Sequence, residues 1–412
     1  MYKSSTKVVI IGTHHDQVKS KKNLATIDTL LSKGLKLDEE SDLVVKINGR
    51  LFIPTNASDK TKKQSIRDNI SKVVSENRFG IASRAISIRW AKLLDDLGSV
   101  TKMPWVSSAD ANQVGKSLGI KDVEVDNALR YFNDCGLITY LEATDTLKSM
   151  IILDPEWISK QLGMVIRDRN THSLAAKEME KLKSLGYEKD LDELFRSGCA
   201  TYNLLLSLWD DEESARFMVE LMKHTLLLSE WKGSSGENTY LIPAAPSSKD
   251  GIEKGKGPTC SFSFADSSLP FGVFERLVCL CIDFSATQEK IKTPTVGRAC
   301  ARIWLGNADV ICLEQKDDTI SLVVENSTKL TPERYVSLID TMLGKISDDF
   351  MDGMLEWKVK LSDGQAYKDG RRDSKLRDFW YDDVEATTNI PTKGVDLPSF
   401  VETLSTFFLA KA

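Results

Sequence analysis

At 412 residues and 46.0 kDa the chain is long enough for two to four domains, each with a core of its own, which excludes a small scaffold held by disulfides. With 41% hydrophobic and 28% charged residues and a net charge of −5, it has no global electrostatic bias toward nucleic acid or membrane. No window approaches the roughly 18 uninterrupted apolar residues of a membrane span, and the N-terminus lacks the basic-then-apolar order of a signal peptide, so the expected location is cytoplasmic.

The first apolar run, "VVIIGTHHDQV" (residues 8–18), begins with the continuous β-branched pattern of a strand buried in a parallel sheet. "GTHHD" then falls at the strand's carboxyl end, where open α/β sheets hold ligands. A helix is expected over "NLATIDTLLSKG", stopping at Gly34, then a strand in "RLFIPTNAS" (residues 50–58) and a helix in "KTKKQSIRDNISKVVSEN". This alternation reads as the last part of a doubly wound α/β domain. His14 and His15 are poor metal partners, because neighbouring side chains on an extended segment point in opposite directions. A loop that reads a nucleotide base and a plain solvated loop remain open. His172 and His224 are isolated and read as structural or exposed.

From Ile81 the texture becomes helical, with Ile86, Trp90, Leu93 and Leu97 along one face. "SSADANQVGKSLG" predicts a short helix capped by Ser108, and "DVEVDNALRYFNDCG" a second that ends at Gly136. "LITYL" and "SMIILD" then predict a two-stranded wing, an order that reads as a winged helix. The second helix carries Asp122, Glu124, Asp126 and Asp134 against Arg130, a face that would repel phosphates, so nucleic acid is not an expected partner. "DPEWISKQLGMVI" predicts a helix with Asp154 as cap and Pro155 at its first position, and further helices follow to residue 228.

Residues 234–256, rich in Gly, Ser and Lys around a short strand "TYLIP", are the strongest boundary signal. Beyond it, strand, helix, an antiparallel meander ("RACARIWLG", "ADVICLEQ", "TISLVVEN"), a helix at "TPERYVSLIDTMLGKISDDFM" and a strand "LEWKVKL" predict an α+β domain: an antiparallel sheet covered by two helices. Seven cysteines without CxxC pairs read as buried thiols, and Cys279 and Cys281 as neither redox nor metal groups. Trp157, Trp209, Trp304 and Trp357 read as core anchors, with one or two in the last domain as alternatives for a dimer interface. "KDGRRDSKLRDFW" joins Lys368, Arg371, Arg372, Lys375 and Arg377 to Trp380. A solvated mixed-charge loop is its default reading, a phosphate, acidic lipid or acidic partner the alternative.

In their order, "VVIIGTHHD", "WAKLLDDL", "YFNDCGLITYL", "SMIILDPEWISKQLGMVI", "YLIP" and "LPFGVFERLV" resemble the Roc-COR tandem of Roco proteins over nearly the whole chain. The most specific pieces are the wing strand that runs into Asp-Pro-x-Trp, and Pro270, Gly272, Phe274, Arg276 and Leu277 at a helix start. The resemblance implies three parts: the C-terminal part of a Ras-like Roc domain over residues 1–77, COR-A with a winged helix over 78–232, and an α+β COR-B over 233–412. It implies a regulatory and dimerising module of a GTP-binding signalling protein, homodimeric through COR-B, with an intramolecular Roc domain as the other partner.

The resemblance further implies guanine contacts. THxD stands where small GTPases have NKxD, so Thr13 would prop neighbouring loops, His14 would flank the ring and Asp16 would accept from guanine N1 and N2, while Ala57 would offer its backbone N–H to O6. His15 gets no role. GTP or GDP with Mg²⁺ is the cofactor of an intact Roc domain. No G-x-x-x-x-G-K-[ST] occurs in the chain: "GIEKGKGP" at Gly251 has the wrong order, and "DDLG" (residues 95–98) lies at a helix end. No residue is assigned a catalytic role, and GTP hydrolysis is expected only if another Roc segment completes the site. A non-hydrolysing scaffold and a STAND-type switch are the competing readings; the latter does not predict an α+β domain after Gly257.

Overall fold

The computed structural model describes residues 10–13, 18, 20–34, 50–54, 64, 66–68, 71, 86–167, 174–232, 238–248, 252–253, 255–257, 259–264, 268–287, 292–305, 309–325, 332–362 and 370–371. The chain divides into two compact units, Met1–Ile88 and Arg89–Ala412.

In the first unit β1 (Ile10–Gly12) leads through α1 (Lys21–Gly34) to β2 (Phe52–Pro54). The two strands pair in parallel, Ile10 opposite Phe52 and Gly12 opposite Pro54, as a strand-helix-strand crossover requires. Among its described residues, Leu24 on α1 and Leu51, Phe52 and Ile53 are buried. Of the helix expected after residue 60, the described residues 64, 66–68 and 71 are helical.

The second unit begins with α2 (Ile88–Val100), β3 (Trp105–Ser107), α3 (Ser108–Ser117), α4 (Asp122–Asp134), β4 (Thr139–Tyr140), the single turn α5 (Asp145–Lys148) and β5 (Met150–Ile152). Four details differ from expectation. Ile86 precedes α2 and is 40% exposed, so the buried stripe is Leu93 and Leu97. "DDLG" lies inside α2, which continues to Val100. The cap of α3 is Ser107 rather than Ser108: the chain turns directly from an extended strand into the helix, and Ser107 Oγ accepts from Asp110 N at 3.0 Å. The sheet also has a third strand, in the order β3-β5-β4, because Trp105–Ser107 pairs antiparallel with Met150–Ile152. Three residues after a proline, the last of them the helix cap itself, are too few for periodicity to reveal a strand.

A helical layer follows: α6 (Pro155–Val165), α7 (Ala176–Ser184), α8 (Glu188–Ser197), β6 (Cys199–Thr201), α9 (Tyr202–Trp209) and α10 (Glu212–His224). Pro155 is at the start of α6, and Asp154 Oδ1 accepts from Glu156 N at 3.1 Å, as its sequence predicts. β7 (Ser229–Lys232) and β8 (Asn238–Leu241) form a hairpin whose second strand also pairs with β6.

The last part is a seven-stranded sheet in the order β10-β11-β12-β13-β9-β14-β15, antiparallel throughout. Its strands are β9 (Thr259–Ser263), β10 (Thr295–Gly297), β11 (Cys300–Leu305), β12 (Asp309–Lys316), β13 (Thr319–Glu325), β14 (Lys358–Ser362) and β15 (Gly370–Arg371). Helices α11 (Val273–Ala286) and α12 (Pro332–Phe350) cover one face, the expected α+β layering. α11 is buried almost all round, which puts both Cys279 and Cys281 inside. Burial raises the pKa of the Cys281 thiol and pushes that of Cys260 up to about 12, so both stay protonated and inert. Cys135 is exposed, against the expectation that every thiol is buried.

Candidate functional site

Three apolar cores occupy the second unit, and strands with two buried faces join them. Around α2–α4 the first contains Leu93, Leu129, Phe132 and Ile151. The second, in the helical layer, contains Met150, Ile152, Trp157, Leu208, Phe217, Tyr240 and Ile242. The third lies between the large sheet and its helices and contains Trp231, Leu241, Phe262, Leu280 and Ile339. β5 therefore gives Ile151 to one core and Met150 and Ile152 to the next. The β7–β8 hairpin does the same between the second core and the third. A strand buried on both faces needs a continuous apolar run, which is why "MII" and "YLI" do not alternate.

Polar bonds fix both joints. Ser229 Oγ, buried on β7, donates to the Cys279 carbonyl of α11 at 3.1 Å. Gly198, in the left-handed region at φ 74°, ends α8 and accepts from Ile242 N at 2.8 Å. Around β4 and β5, Arg130 donates to both oxygens of Glu142, at 2.7 and 2.8 Å, and Lys148 lies 3.3 Å from Asp126. Arg130, the one cation of the acidic helix α4, is thus engaged within the domain. The hydrogen bond from Arg130 lowers the pKa of Glu142; burial and the bond to Asp126 raise that of Tyr140.

An open cleft of about 450 Å³ lies between the small sheet and α10, lined by Trp105, Met150 and Phe217 with Asp145, Glu213 and Arg216 at its rim. No sequence signal marks it, since β3 itself is hidden. Among the described residues no group of three or more His, Cys, Asp and Glu could hold a metal, and no helix is long and apolar enough to cross a membrane.

Of the expected guanine-reading residues, Thr13 follows the end of β1 and is exposed. His14, Asp16 and Ala57 lie outside the described residues. What the structure does show is the base of that loop: a Cβ on Gly12 would come within 2.7 Å of the Phe52 ring, so glycine is needed for β1 to pack beside β2. Asp28 of α1 accepts from Leu51 N at 3.0 Å and lies 3.7 Å from Arg50, tying the crossover helix to the second strand. These groups could support base contacts. They offer no phosphate cradle, and no phosphoryl-transfer step follows from them. His224, in the last turn of α10, is exposed, and His172 lies outside the described residues. "GIEKGKGP" leads into β9; Lys256 N donates to Glu325 Oε1 at 2.7 Å, so its described part crosses the large sheet instead of opening a helix.

Trp157, Trp209 and Trp357 are buried, as expected of core anchors. Trp304 is half-buried on the sheet face away from the helices, with the guanidinium of Arg302 5.6 Å from its ring; Arg302 in turn pairs with Glu325 at 2.6 Å.

Residues 87–245 match the family model described as "C-terminal of Roc, COR-A domain". Over these residues the chain is similar to COR-A domains that follow a Roc domain. The match includes the whole β7–β8 hairpin. Among curated proteins, the "Probable serine/threonine-protein kinase pats1" of Dictyostelium discoideum is 22% identical over 331 residues, 78% of this chain but only 9% of that protein's length. Among solved structures, that of Methanosarcina barkeri Roco2 RocCORdC bound to GDP matches over 58% of this chain and 64% of that one, at 14% identity and a TM-score of 0.33. The chain thus spans less than two thirds of either relative.

Proposed function

We propose that this chain is the regulatory and dimerising part of a Roco-type GTP-binding protein. COR-A links a Roc domain to an α+β COR-B, and COR-B makes the homodimer contacts. The observation that carries this reading is the pair of double-faced strands. Because β5 and the β7–β8 hairpin each belong to two cores, a displacement of residues 88–152 cannot be absorbed locally and passes on to the large sheet. That is the property a lever between nucleotide site and dimer contact needs.

Within this reading residues 1–77 are the C-terminal part of the Ras-like Roc domain, 78–232 COR-A and 233–412 COR-B, with the hairpin as the joint across the second boundary. Residues 88–152 are the winged helix, used for packing and not for nucleic acid. Thr13, His14, Asp16 and the Ala57 backbone contact guanine, Asp16 selecting it because adenine has no matching donor pair. GTP or GDP with Mg²⁺ belongs to the intact Roc domain, whose nucleotide state sets the population of COR arrangements in the cytoplasm. An active GTPase, with the phosphate loop on a further Roc segment, is the second reading; G-x-x-x-x-G-K-[ST] in the adjoining reading frame would favour it over a non-hydrolysing scaffold.

Light scattering of the purified chain with GDP, with GTP and without nucleotide tests the proposal. A dimer whose population responds to nucleotide supports it. A monomer at high concentration, indifferent to nucleotide, refutes it for this chain.

A further inference from the structure

β3 is an edge strand of its sheet, in the order β3-β5-β4. Its inward bonds alternate along the chain. Leu153 N donates to the Pro104 carbonyl at 2.8 Å, Ser108 N donates to the Ser149 carbonyl at 2.9 Å, and Val106 stands opposite Ile151 between them. Residues 104, 106 and 108 therefore face β5, and the backbone groups of 105 and 107 point the other way. Among the described residues, the Trp105 N–H, the Trp105 carbonyl and the Ser107 N–H have no partner. Such an unpaired edge is a template for a further strand.

The side chains of that edge share one face. Trp105 stands opposite Ile152 and Ser107 opposite Met150, and Trp105, Ser107 and Met150 line the open cleft against Phe217 of α10. In an antiparallel strand added beside β3, the residues bonded to Trp105 and Ser107 are two apart and project to this same face. Two alternate side chains of the added strand thus reach the cleft.

The cleft states what those two should be. Its floor is apolar, with Met150 4% and Phe217 2% exposed, and the Trp105 indole N–H has no acceptor, so no hydrogen bond fixes the ring. Its hydroxyls are engaged within the fold: Ser107 Oγ donates to Asp110 and Ser149 Oγ to the Thr146 carbonyl, both at 2.7 Å. Its cation is engaged too, Arg216 Nε donating to Glu212 at 2.9 Å. Asp145 and Glu213 differ. Each lies in the first turn of a helix, where the dipole favours a carboxylate, but neither has a side-chain partner among the described residues. The uncompensated charge of the rim is negative.

We propose that the free edge of β3 binds an extended peptide of a partner protein by strand addition. An apolar side chain packs on Trp105 and Phe217, and a Lys or Arg two residues away faces Asp145 and Glu213. This site requires neither nucleotide nor a second copy of the chain, so its test is independent of the dimer.

The test uses the full chain labelled with ¹⁵N-tryptophan, with the Trp105 signals assigned by Trp105→Phe. The probes are short synthetic peptides with Phe, Leu or Val and Lys or Arg two apart, in both orders, and Thr elsewhere. At a concentration about ten times its Kd, at least one should slow exchange of the Trp105 backbone amide about tenfold. The Trp105 indole signal should shift with it. Glu in place of the basic residue should weaken binding about fivefold or more, the scale of exposed ion pairs, and N-methylation of the two recognition residues should abolish it. Asp145→Asn/Glu213→Gln, at exposed positions, should erase the difference between the basic and acidic peptides. No protection of Trp105 by any peptide would overturn the proposal, as would binding indifferent to the Glu replacement or to N-methylation. An indole shift with an unprotected backbone amide would mean that the cleft is filled without strand addition, and would overturn it equally.

Discussion

Ile151 and Ile152 are neighbours on β5, both fully buried, and they belong to different cores: Ile151 packs among α2–α4, Ile152 in the helical layer. Each Ile→Ala change therefore opens a cavity in one core only, at about 2–5 kcal/mol. Urea denaturation of the two variants should show similar losses. Hydrogen exchange should separate them, with Ile151→Ala loosening α4 first and Ile152→Ala loosening α6 and α10 first. Identical exchange patterns would contradict the division into two cores.

Gly198 ties the end of α8 to Ile242, the residue that follows β8. At φ 74° a side chain is strained, and a Cβ would come within 2.8 Å of the Ile242 carbonyl oxygen. Gly198→Ala should cost at least about 1 kcal/mol, because the gain from restricting the unfolded chain is outweighed. A thermal melt that leaves the midpoint unchanged would show that the joint yields.

Tyr335 on α12 donates its hydroxyl to Asp309 at the start of β12, and both are 1% exposed. Burial and that bond raise the pKa of the phenol, so it remains a donor throughout the range in which the protein is folded. Tyr335→Phe removes one donor from a buried carboxylate and should cost about 1.5–3 kcal/mol, the range for hydrogen bonds to charged groups. The check is the denaturation midpoint with unchanged slope.

Glu142 yields a prediction about pH. The hydrogen bond from Arg130 lowers its folded-state pKa, so its contribution is present above the unfolded value of about 4.3 and is lost as pH falls through the folded value. The melting difference between wild type and Glu142→Gln should be constant above about pH 5.5 and should close in more acid solution. A difference that widens on acidification would reverse the assignment.

How much of this was legible in the sequence depended on the kind of signal. Asp154 and Pro155 announce α6 because capping is local, and the meander of β11–β13 is visible because three strands of six to eight residues follow one another across short turns. β3 was not visible: Trp105–Ser107 is a strand only because Met150–Ile152 lies beside it. The Ser108 cap was wrong by one residue for the same reason, since the strand ends on Ser107 itself. At the candidate site, the sequence marked Thr13 and its loop by pattern, while the need for Gly12 comes from the ring of Phe52, forty residues away. "SMIILD" and "TYLIP" are legible as strands, but that each has a different core on either side is not.

The lever at the centre of this account requires residues 89–362 to behave as one body. Equilibrium urea unfolding of the full chain, followed by total tryptophan fluorescence and by far-ultraviolet circular dichroism, tests this most directly, with Trp231→Ala as the variant that empties the third core at the β7–β8 joint. The account predicts a single transition, coincident by both probes, in the wild type, and two separated transitions in Trp231→Ala. Two resolved transitions in the wild type would mean that the helical part and the large sheet unfold independently, and the hairpin could not be the joint proposed.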